Sequence, residues 1–365
     1  MGQKQVCVGV VGAGAISDIY LKNMINRFDN LSVKSICAAH LESAQKKAKE
    51  YGIQAVTMEE MYNDPEIRMI VNLTPAHVHY DVIKRALEHG KHVYTEKTLT
   101  DDLNKSAELV RLANEKGLYL GSAPDTFMGA ALQTARSAID SGMLGEIHSF
   151  AVSANRNNDI LLSLFDFLRK PGGGIVCDYA VYYVTALVSL LGPAARVGSI
   201  VGYPYPTHVN CVPGTPLYGQ TMDTPNESQV NAVLQFENGV TGTFHIDADS
   251  VMEDQAYFTI YGTKGILMLT DPNQFGGQVR FLQNTPNPEE RQEASVLQSV
   301  NEYSDNSRGI GPADLADTIL NGTPLRPSAE MAYHVHEVLN AMLEGGTSGG
   351  FTDIRSSCVR PAPLR

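Results

Sequence analysis

The first third of the chain alternates short apolar runs with segments of helical periodicity, and this alternation restricts its fold more than any other feature. The apolar runs predict strands at Gln5–Val11, Leu31–Ala38, Ala55–Val56, Met69–Leu73, His92–Thr95 and Leu118–Gly121. The intervening segments predict helices at Ala15–Arg27, Glu42–Tyr51, Met58–Tyr62, His77–His89 and Leu103–Lys116. Continuously apolar strands are buried on both faces, so this part is predicted to be an α/β domain with a doubly wound parallel sheet.

After about residue 125 the pattern changes to alternating apolar and polar residues around turn signals. Strands are predicted at Gln229–Phe236, Val240–Asp247, Ala256–Tyr261, Gly265–Leu269 and Val279–Leu282, and late helices at Pro312–Leu320 and Ala329–Leu343. The Pro-, Gly- and Thr-rich stretch 204–226 predicts a long loop. We therefore expect two domains, 1–124 and 125–345, with 346–365 as a C-terminal tail. The second is an α+β domain with a large, mostly antiparallel open sheet.

Composition excludes several classes of protein. The 365 residues carry 28 Lys and Arg against 40 Asp and Glu, a net charge of -12, which argues against wrapping nucleic acid or binding an anionic membrane. No apolar run approaches the roughly 18 residues that span a bilayer. Five cysteines without a C-x-x-C pair favour a reducing cytoplasm. The close histidine pairs lack a matching Cys or carboxylate cluster, so we expect no metal site.

A glycine-rich segment, Gly12-Ala13-Gly14-Ala15-Ile16-Ser17, follows the first strand and opens the first helix. In that context Gly12 permits a tight turn, and Gly14 lets the backbone approach a pyrophosphate at the helix N-terminus. Ser17 replaces the third glycine of such motifs, where a small residue still allows close packing. We interpret the segment as a dinucleotide-binding loop; the alternative is an ordinary glycine-rich turn.

The end of the second strand lacks the carboxylate that usually binds the adenosine ribose of NAD. The segment runs Cys37-Ala38-Ala39-His40, and the first acid is Glu42. Without that carboxylate a 2′-phosphate is not repelled, and His40, Lys46 and Lys47 follow nearby. This favours NADP slightly over NAD, although His40 pointing into solvent is the alternative.

Four further segments carry a resemblance to a known family: Thr74–His79, Glu96–Thr98, Gly172–Asp178 and Arg308–Gly311. They resemble the Gfo/Idh/MocA family, which includes glucose–fructose oxidoreductase and inositol dehydrogenase. The run Glu96-Lys97-Thr98 resembles the family's Glu-Lys-Pro at a strand end, and Thr74-Pro75-Ala76…His79 its Thr-Pro-Asn…His segment. Gly172-Gly173-Gly174…Asp178 resembles its Gly-Gly-Gly…Asp motif, and the segment Arg308–Gly311 also fits. Together these segments occur in the family's order over most of the chain.

The resemblance implies that Lys97 is the catalytic lysine, acting with Asp178 and Tyr182, which stand four residues apart in a helical pattern. Many family members have His where this chain has Tyr182. The Tyr form is similar to the branch with glucose–fructose oxidoreductase, xylose dehydrogenase and dihydrodiol dehydrogenase, where Tyr is the acid/base and NADP is often used. A phenol needs a nearby cation such as Lys97 to act as a base. The alternative is that Tyr182 is a core aromatic.

The expected site residues form two groups. The expected cofactor-binding residues are Gly12, Gly14, Ala15, Ile16, His40, Thr74, Pro75, His79, Glu96 and Lys97. The expected substrate-binding residues are Asp125, Arg156, Asp178 and Tyr182. For Glu96 and Lys97 the alternative is a solvated charge pair, and for Arg156 a solvent-facing loop.

The combined expectation is a cytoplasmic NAD(P)-dependent oxidoreductase that transfers hydride between the nicotinamide and a sugar, polyol or cyclic hydroxyl substrate. One alternative is redox-neutral glycoside cleavage or elimination with tightly bound NAD, and another is a non-catalytic nucleotide-sensing regulator. We expect a homodimer or homotetramer formed through the C-terminal sheet, without nucleic acid or membrane partners.

Overall fold

The computed structural model describes residues 5–251, 255–290, 292–348 and 350–364, and they form two compact units. Unit 1 comprises Met1–Met128 and Asn306–Tyr333, and unit 2 comprises Gly129–Asp305 and His334–Arg365, each in its described part. The first boundary lies four residues beyond the expected one. Residues 306–333 return to unit 1, and the expected tail 346–365 belongs to unit 2. The predicted division contained neither feature.

Unit 1 is built on a parallel sheet of six strands, which confirms the doubly wound prediction. Its strands are β1 Val6–Val11, β2 Leu31–Cys37, β3 Gln54–Ala55, β4 Met69–Asn72, β5 His92–Thr95 and β6 Leu120–Ser122. The helices are α1 Ser17–Asn26, α2 Leu41–Tyr51, α3 Met58–Asn63, α4 Ala76–Glu88, α5 Leu103–Glu115 and, from the returning segment, α9 Ile310–Asn321. The α1 N-terminus lies two residues later than predicted, because Ala15 and Ile16 belong to the turn.

The strand order β3-β2-β1-β4-β5-β6 places the topological switch point between β1 and β4. Ligands of doubly wound sheets bind at the carboxyl ends of the strands at such a point. Residues 327–328 of the returning segment lie along the outer edge of β6, where Ser122 N–H donates to the Pro327 carbonyl at 2.9 Å. The returning segment therefore completes the sheet edge of unit 1.

Unit 2 is built on a nine-stranded mixed sheet in the order β16-β15-β14-β13-β7-β12-β11-β8-β17. Only β7 and β12 pair in parallel; the other neighbours are antiparallel, as the prediction of a mostly antiparallel sheet requires. The strands are β7 Ile147–Asn155, β8 Ala194–Gly202, β11 Gln229–Phe236, β12 Thr241–Asp247, β13 Ala256–Gly262, β14 Gly265–Leu269, β15 Arg280–Gln283, β16 Ser295–Val296 and β17 Phe351–Asp353.

One face of this sheet is covered by helices and the other carries exposed apolar side chains. The helices that lie wholly or partly in unit 2 are α6 Ala130–Asp140, α7 Asn158–Leu164, α8 Val181–Leu191 and α10 Ala329–Ser348. All of α8 is buried, and its Tyr183 ring lies 6.2 Å from Phe244 and 5.9 Å from Phe258 on the sheet. The strand register places Ile200, Val233, Tyr257 and Phe351 together on the other face, all exposed.

The prediction of a structureless loop over 204–226 is wrong in part. The segment contains a two-stranded antiparallel sheet of β9 Thr207–Val209 and β10 Thr221–Asp223. The strands are only three residues long and lie among Pro and Gly, so they leave no alternating pattern to detect. Within the described ranges, no helix has both the length and the apolar character needed to cross a membrane.

Candidate active site

The glycine-rich loop of unit 1 has the geometry that a pyrophosphate requires. Gly12 has φ +109°, and a Cβ there would lie 2.8 Å from the Leu73 carbonyl carbon and oxygen, so only glycine fits. A Cβ on Gly14 would have no heavy atom within 4 Å, which leaves the approach to its backbone open. Ser17 is fully buried, and its hydroxyl donates to the Gly14 carbonyl at 2.7 Å. The small serine thus allows the close packing expected in place of a third glycine.

The N-terminus of α1 follows this loop and has no side-chain cap at Ile16. Its first N–H groups and helix dipole are therefore suited to an anion. The acid in the first turn, Asp18, is neutralised by the Lys47 ammonium and also accepts from the Tyr51 hydroxyl at 3.0 Å. The Lys47 hydrogen bond lowers the pKa of Asp18. These features fit a dinucleotide phosphate.

The carboxyl end of β2 carries no acid in the structure either. Ala39 and His40 are exposed, His40 is the N-cap residue of α2, and Glu42 lies inside the helix. Lys47, one of the cations near this end in sequence, is engaged with Asp18. His40 and the exposed Lys46 are thus the basic residues that this segment presents to a ribose phosphate.

His79 links the loops after β4 and β5. Its side chain is fully buried, with Nδ1 2.8 Å from the Thr98 carbonyl oxygen and Nε2 2.7 Å from that of Thr74. Thr74 itself donates through its hydroxyl to Asn72 Oδ1 at 2.7 Å, and Pro75 is exposed as the N-cap residue of α4. This placement favours a positioning role for His79, which holds the Thr74 and Thr98 carbonyl groups in register.

Glu96 and Lys97 lie directly after β5 at the same edge of the sheet. The Tyr20 hydroxyl donates to Glu96 Oε1 at 2.6 Å, and the Lys97 backbone N–H donates to Glu96 Oε2 at 3.2 Å. Glu96 is anchored to β4 through its own N–H, 2.8 Å from the Asn72 carbonyl. Both charged side chains are half-buried, and the Tyr20 hydroxyl and the Lys97 backbone N–H hold the Glu96 carboxylate in place.

Within unit 1, Asp125 binds the returning segment 306–333 through hydrogen bonds. Its side chain is 1% exposed, and Oδ2 accepts from the backbone N–H groups of Gly309 and Gly311, at 3.2 and 3.1 Å, where α9 begins. Burial raises the pKa of Asp125 to about 6, against the opposing effects of Arg308 and the two amides. This geometry favours a structural role over the substrate contact that we expected.

In unit 2, Asp178 and Tyr182 lie on consecutive turns of one helical segment. Asp178 belongs to a π-helical turn, Val176–Ala180, which continues into α8, where Tyr182 is 8% exposed. The predicted α-helical spacing is therefore widened at Asp178, a distortion common at functional sites. Asp178 is partly exposed, and its N–H donates to the Gly174 carbonyl at 2.8 Å.

Arg156 follows β7 and lies over an aromatic ring. Its guanidinium carbon is 4.7 Å from the centroid of Tyr179, whose hydroxyl donates to Asp271 Oδ2 at 2.9 Å. Burial raises the pKa of Tyr179, which keeps it a neutral donor. Arg156 is thus tied to the segment that carries Asp178, one residue before Tyr179.

Asp178 also lines a cavity that sequence reasoning missed. The cavity has a volume of about 20 Å³, room for about one water molecule, and is bordered by Gly173 and Gly174 and by residues from the segment after β10. All three of those, Thr224, Asn226 and Glu227, carry polar groups. They lie in or beside the stretch that is predicted as a loop, and no sequence motif marks them. The one available signal was the run of three glycines, which indicates a close approach by another chain segment.

Comparisons with known proteins agree with this geometry. Residues 6–123 match the family described as "Oxidoreductase family, NAD-binding Rossmann fold", and residues 132–268 match the "GFO/IDH/MocA C-terminal domain". An uncharacterized oxidoreductase of Escherichia coli is 31% identical over 192 residues, 50% of this chain and 52% of that protein. A scyllo-inositol 2-dehydrogenase (NADP(+)) of Bacillus subtilis is 27% identical over 195 residues, 53% of this chain and 54% of the relative.

The chain thus spans about half the length of these two curated relatives. Among solved structures, a levoglucosan dehydrogenase in complex with NADH aligns with a TM-score of 0.83 at 18% identity, over 97% of this chain and 100% of that one. At that identity the likeness shows a common fold.

Proposed function

Because this chain belongs to the GFO/IDH/MocA family of NAD-binding oxidoreductases, we propose that it oxidises or reduces a hydroxyl-bearing carbon of a sugar, polyol or cyclic hydroxyl compound with NAD(P). The observation that carries the proposal is the edge of the unit 1 sheet. There the open Gly14 backbone follows β1, and Glu96 and Lys97 follow β5, at the carboxyl ends of strands on both sides of the switch point.

Each residue has a distinct part in this proposal. The backbone at Gly12, Gly14, Ala15 and Ile16 holds the pyrophosphate, and the loop after β4 with Thr74 and Pro75 borders the cofactor. The bound nicotinamide supplies the hydride acceptor or donor. His79 and Glu96 position the loops from which Lys97 acts.

During oxidation the substrate carbon loses a hydride and its hydroxyl loses a proton. Lys97, as a neutral amine, accepts that proton. The family resemblance also assigns Tyr182 to proton transfer and Asp178 to orienting the substrate hydroxyl by accepting a hydrogen bond. In the reverse direction the ammonium returns the proton to the carbonyl oxygen. Arg156 completes the polar groups near Asp178 through its contact with Tyr179.

We propose NADP as the preferred cofactor. The support is the carboxyl end of β2, where His40 and Lys46 are exposed and no carboxylate precedes Glu42. The name of the Bacillus subtilis relative includes NADP(+), which points in the same direction.

The decisive experiment is a thermal-shift titration with NAD and NADP, followed by absorbance assays with a panel of sugars and cyclitols. Ligands that bind only the folded protein raise its melting temperature, so the cofactor choice is measured directly. Cofactor-dependent change in reduced nicotinamide with at least one polyol is the expected result. Cofactor that never exchanges, with no net absorbance change, would instead favour redox-neutral cleavage or elimination. Binding without turnover of any polyol would favour a sensor.

We also propose that the exposed apolar face of the unit 2 sheet joins two copies of this chain. Ile200 is 70% exposed and Phe351 56%, with Val233 and Tyr257 beside them on the same face. Large apolar groups gathered on one sheet face mark interaction surfaces. Light scattering should give a homodimer or homotetramer, and Ile200→Lys should shift it toward monomer. A monomeric wild-type protein would contradict this assembly.

A further inference from the structure

Both ring nitrogens of His208, on the short strand β9 of unit 2, face carboxylates. The residue is 7% exposed. Its Nδ1 lies 2.7 Å from Asp159 Oδ1 on α7, and its Nε2 lies 3.3 Å from Asp249 Oδ1 in the turn after β12. These three residues, which we call the His208 clamp, join three separate parts of the chain.

The positions of the two carboxylates fit an imidazolium better than a neutral ring. A neutral imidazole donates from one nitrogen and has a lone pair on the other, so in either tautomer one lone pair would face a carboxylate. Nε2 is buried and has no hydrogen-bond partner among the residues that the structure describes, so nothing else there offsets that repulsion. An imidazolium carries a proton on both nitrogens and is attracted to both carboxylates.

Asp249 contributes a fixed and buried charge to the clamp. Its side chain is 2% exposed, its Oδ2 accepts from the Ser228 hydroxyl, and Asn158 Nδ2 donates to its Oδ1 at 3.3 Å. Asp247, the other acid of the turn, accepts from the Asp249 backbone N–H at 2.9 Å. Burial opposes ionisation of Asp249, but His208 and Ser228 hold its pKa below the ordinary value. The buried carboxylate therefore stays charged and favours a cation at His208.

The elements packed against His208 contribute few other charges. Asp159 is the one charged residue of α7, and β10 places the apolar Met222 opposite His208 while its own acid, Asp223, is exposed. The ring of Tyr205 stands edge-on, with its centroid 6.1 Å from that of His208. The segment 203–226 contains no Lys or Arg, so His208 is the basic side chain through which it can pair with a carboxylate.

Other contacts between this segment and α7 are insensitive to the charge of the imidazole. The Cys211 backbone N–H donates to the Ser163 hydroxyl at 3.0 Å, and the Cys211 thiol donates to the Asp159 carbonyl at 3.3 Å. Met222 packs with Leu162 in a small apolar cluster. Histidine is the side chain whose ordinary pKa lies near neutral pH, so the strength of the clamp can change there while these contacts persist.

We propose that the His208 clamp is a pH-sensitive attachment of the segment 203–226 to the rest of unit 2, closed while the imidazole is protonated and weakened when the proton is lost. Asp249 and, less strongly, Asp159 raise the pKa of His208 above its ordinary value of 6.5, although burial opposes them. The stabilisation by the clamp is therefore fully present below about pH 6.5 and is lost as the pH rises through the raised pKa. This inference goes beyond the proposed oxidoreductase function and does not depend on it.

The test measures hydrogen–deuterium exchange of the full chain by mass spectrometry, from about pH 6 to about pH 9, with rates corrected for the intrinsic effect of pH. We expect protection of peptides from 203–226 to fall by about tenfold across this range, with a midpoint above about pH 6.5. Peptides from β13 and β14 should keep their protection. His208→Gln, which cannot carry the charge, should show the low protection of 203–226 at every pH.

A second variant tests the clamp without altering a buried residue. The Asp159 side chain is 60% exposed, and Asp159→Asn removes one of the two carboxylates, so the midpoint should move to lower pH. His245→Gln is the matched control, because His245 on β12 pairs with the neutral Asn231 side chain, and it should leave the midpoint unchanged. Cys211→Ser should do the same.

Three results would overturn the proposal. The first is protection of 203–226 that does not vary with pH, or varies with a midpoint below about 6.5. The second is a midpoint that Asp159→Asn leaves in place. The third is a transition that disappears in Cys211→Ser, which would assign it to the thiol. If His208→Gln does not fold, the shift in Asp159→Asn decides the question.

Discussion

Tyr20, on the helix that follows the glycine-rich loop, donates a 2.6 Å hydrogen bond to Glu96, the residue before Lys97. The bond ties α1 to the end of β5 across 76 residues of sequence. It is a partly buried link between the helix after the glycine-rich loop and the segment that carries Lys97.

Tyr20→Phe removes only this hydroxyl. We expect the free energy of unfolding to fall by about 1–3 kcal/mol, because a Glu96 oxygen loses its donor in a partly buried site. Turnover should fall by about tenfold or less as Lys97 loses part of its positioning. Denaturant unfolding and steady-state kinetics measure the two effects. Tyr119→Phe, at an exposed position, is the control; equal effects in both variants would contradict the linking role.

Lys97→Met should leave cofactor affinity within a few-fold and lower turnover by roughly 100-fold or more. The methionine keeps the length of the side chain but cannot take a proton. Fluorescence titration with NADP and single-turnover kinetics separate binding from chemistry. Lys116→Met, at an exposed position after α5, should behave as wild type. Turnover by Lys97→Met close to wild type would exclude the assigned role.

The two loop glycines should respond differently to alanine. Gly12→Ala places a Cβ against the Leu73 carbonyl at a positive φ, so it should lower the melting temperature and abolish dinucleotide binding together. Gly14→Ala meets no protein atom, so the fold should be retained while affinity for NAD and NADP falls by about tenfold or more. Thermal melts and cofactor titrations test the contrast. Unaltered cofactor affinity in Gly14→Ala would argue against pyrophosphate at this loop.

Ala39→Asp should reverse the cofactor preference. The substitution supplies a carboxylate near the end of β2, where it can bind ribose hydroxyls and repel a 2′-phosphate. The ratio of kcat/KM for NADP over that for NAD should fall by about tenfold or more. Ala39→Asn, of the same shape without the charge, is the control, and a ratio unaffected by either change would place the ribose elsewhere.

Asp125→Asn should change how stability depends on pH. The pKa of Asp125 is raised by burial from 3.8 to about 6, so the folded state favours the protonated carboxyl. The contribution of Asp125 to the free energy of unfolding is fully present below about pH 4 and is lost as the pH rises through about 6. Across this pH range the free energy of unfolding of the wild type should therefore fall by on the order of 3 kcal/mol relative to that of the variant. Urea unfolding of both proteins at several pH values measures it; parallel curves would contradict the shift.

The sequence predicted those features that depend on local chemistry. The alternation of apolar strands with helices predicted the parallel sheet, and the position of Gly12 after β1 predicted the loop that closes against Leu73. Non-local partners could not be predicted in this way. Asp125 looks like a cleft residue until Gly309 and Gly311 return to it from 184 and 186 residues away. Likewise, His208 becomes notable only once Asp159 and Asp249 are found beside its two ring nitrogens.

The return of 306–333 to unit 1 sets the order in which the protein can mature on the ribosome. At the sheet edge the Ser122 N–H donates to the Pro327 carbonyl, and the Asp125 carboxylate accepts from the N–H groups of Gly309 and Gly311. Every strand of the nine-stranded sheet except β17 is translated before this segment emerges. Unit 1 therefore stays incomplete until nearly the whole polypeptide has been synthesised. Fragments of the protein that end near residue 124 should be prone to aggregation.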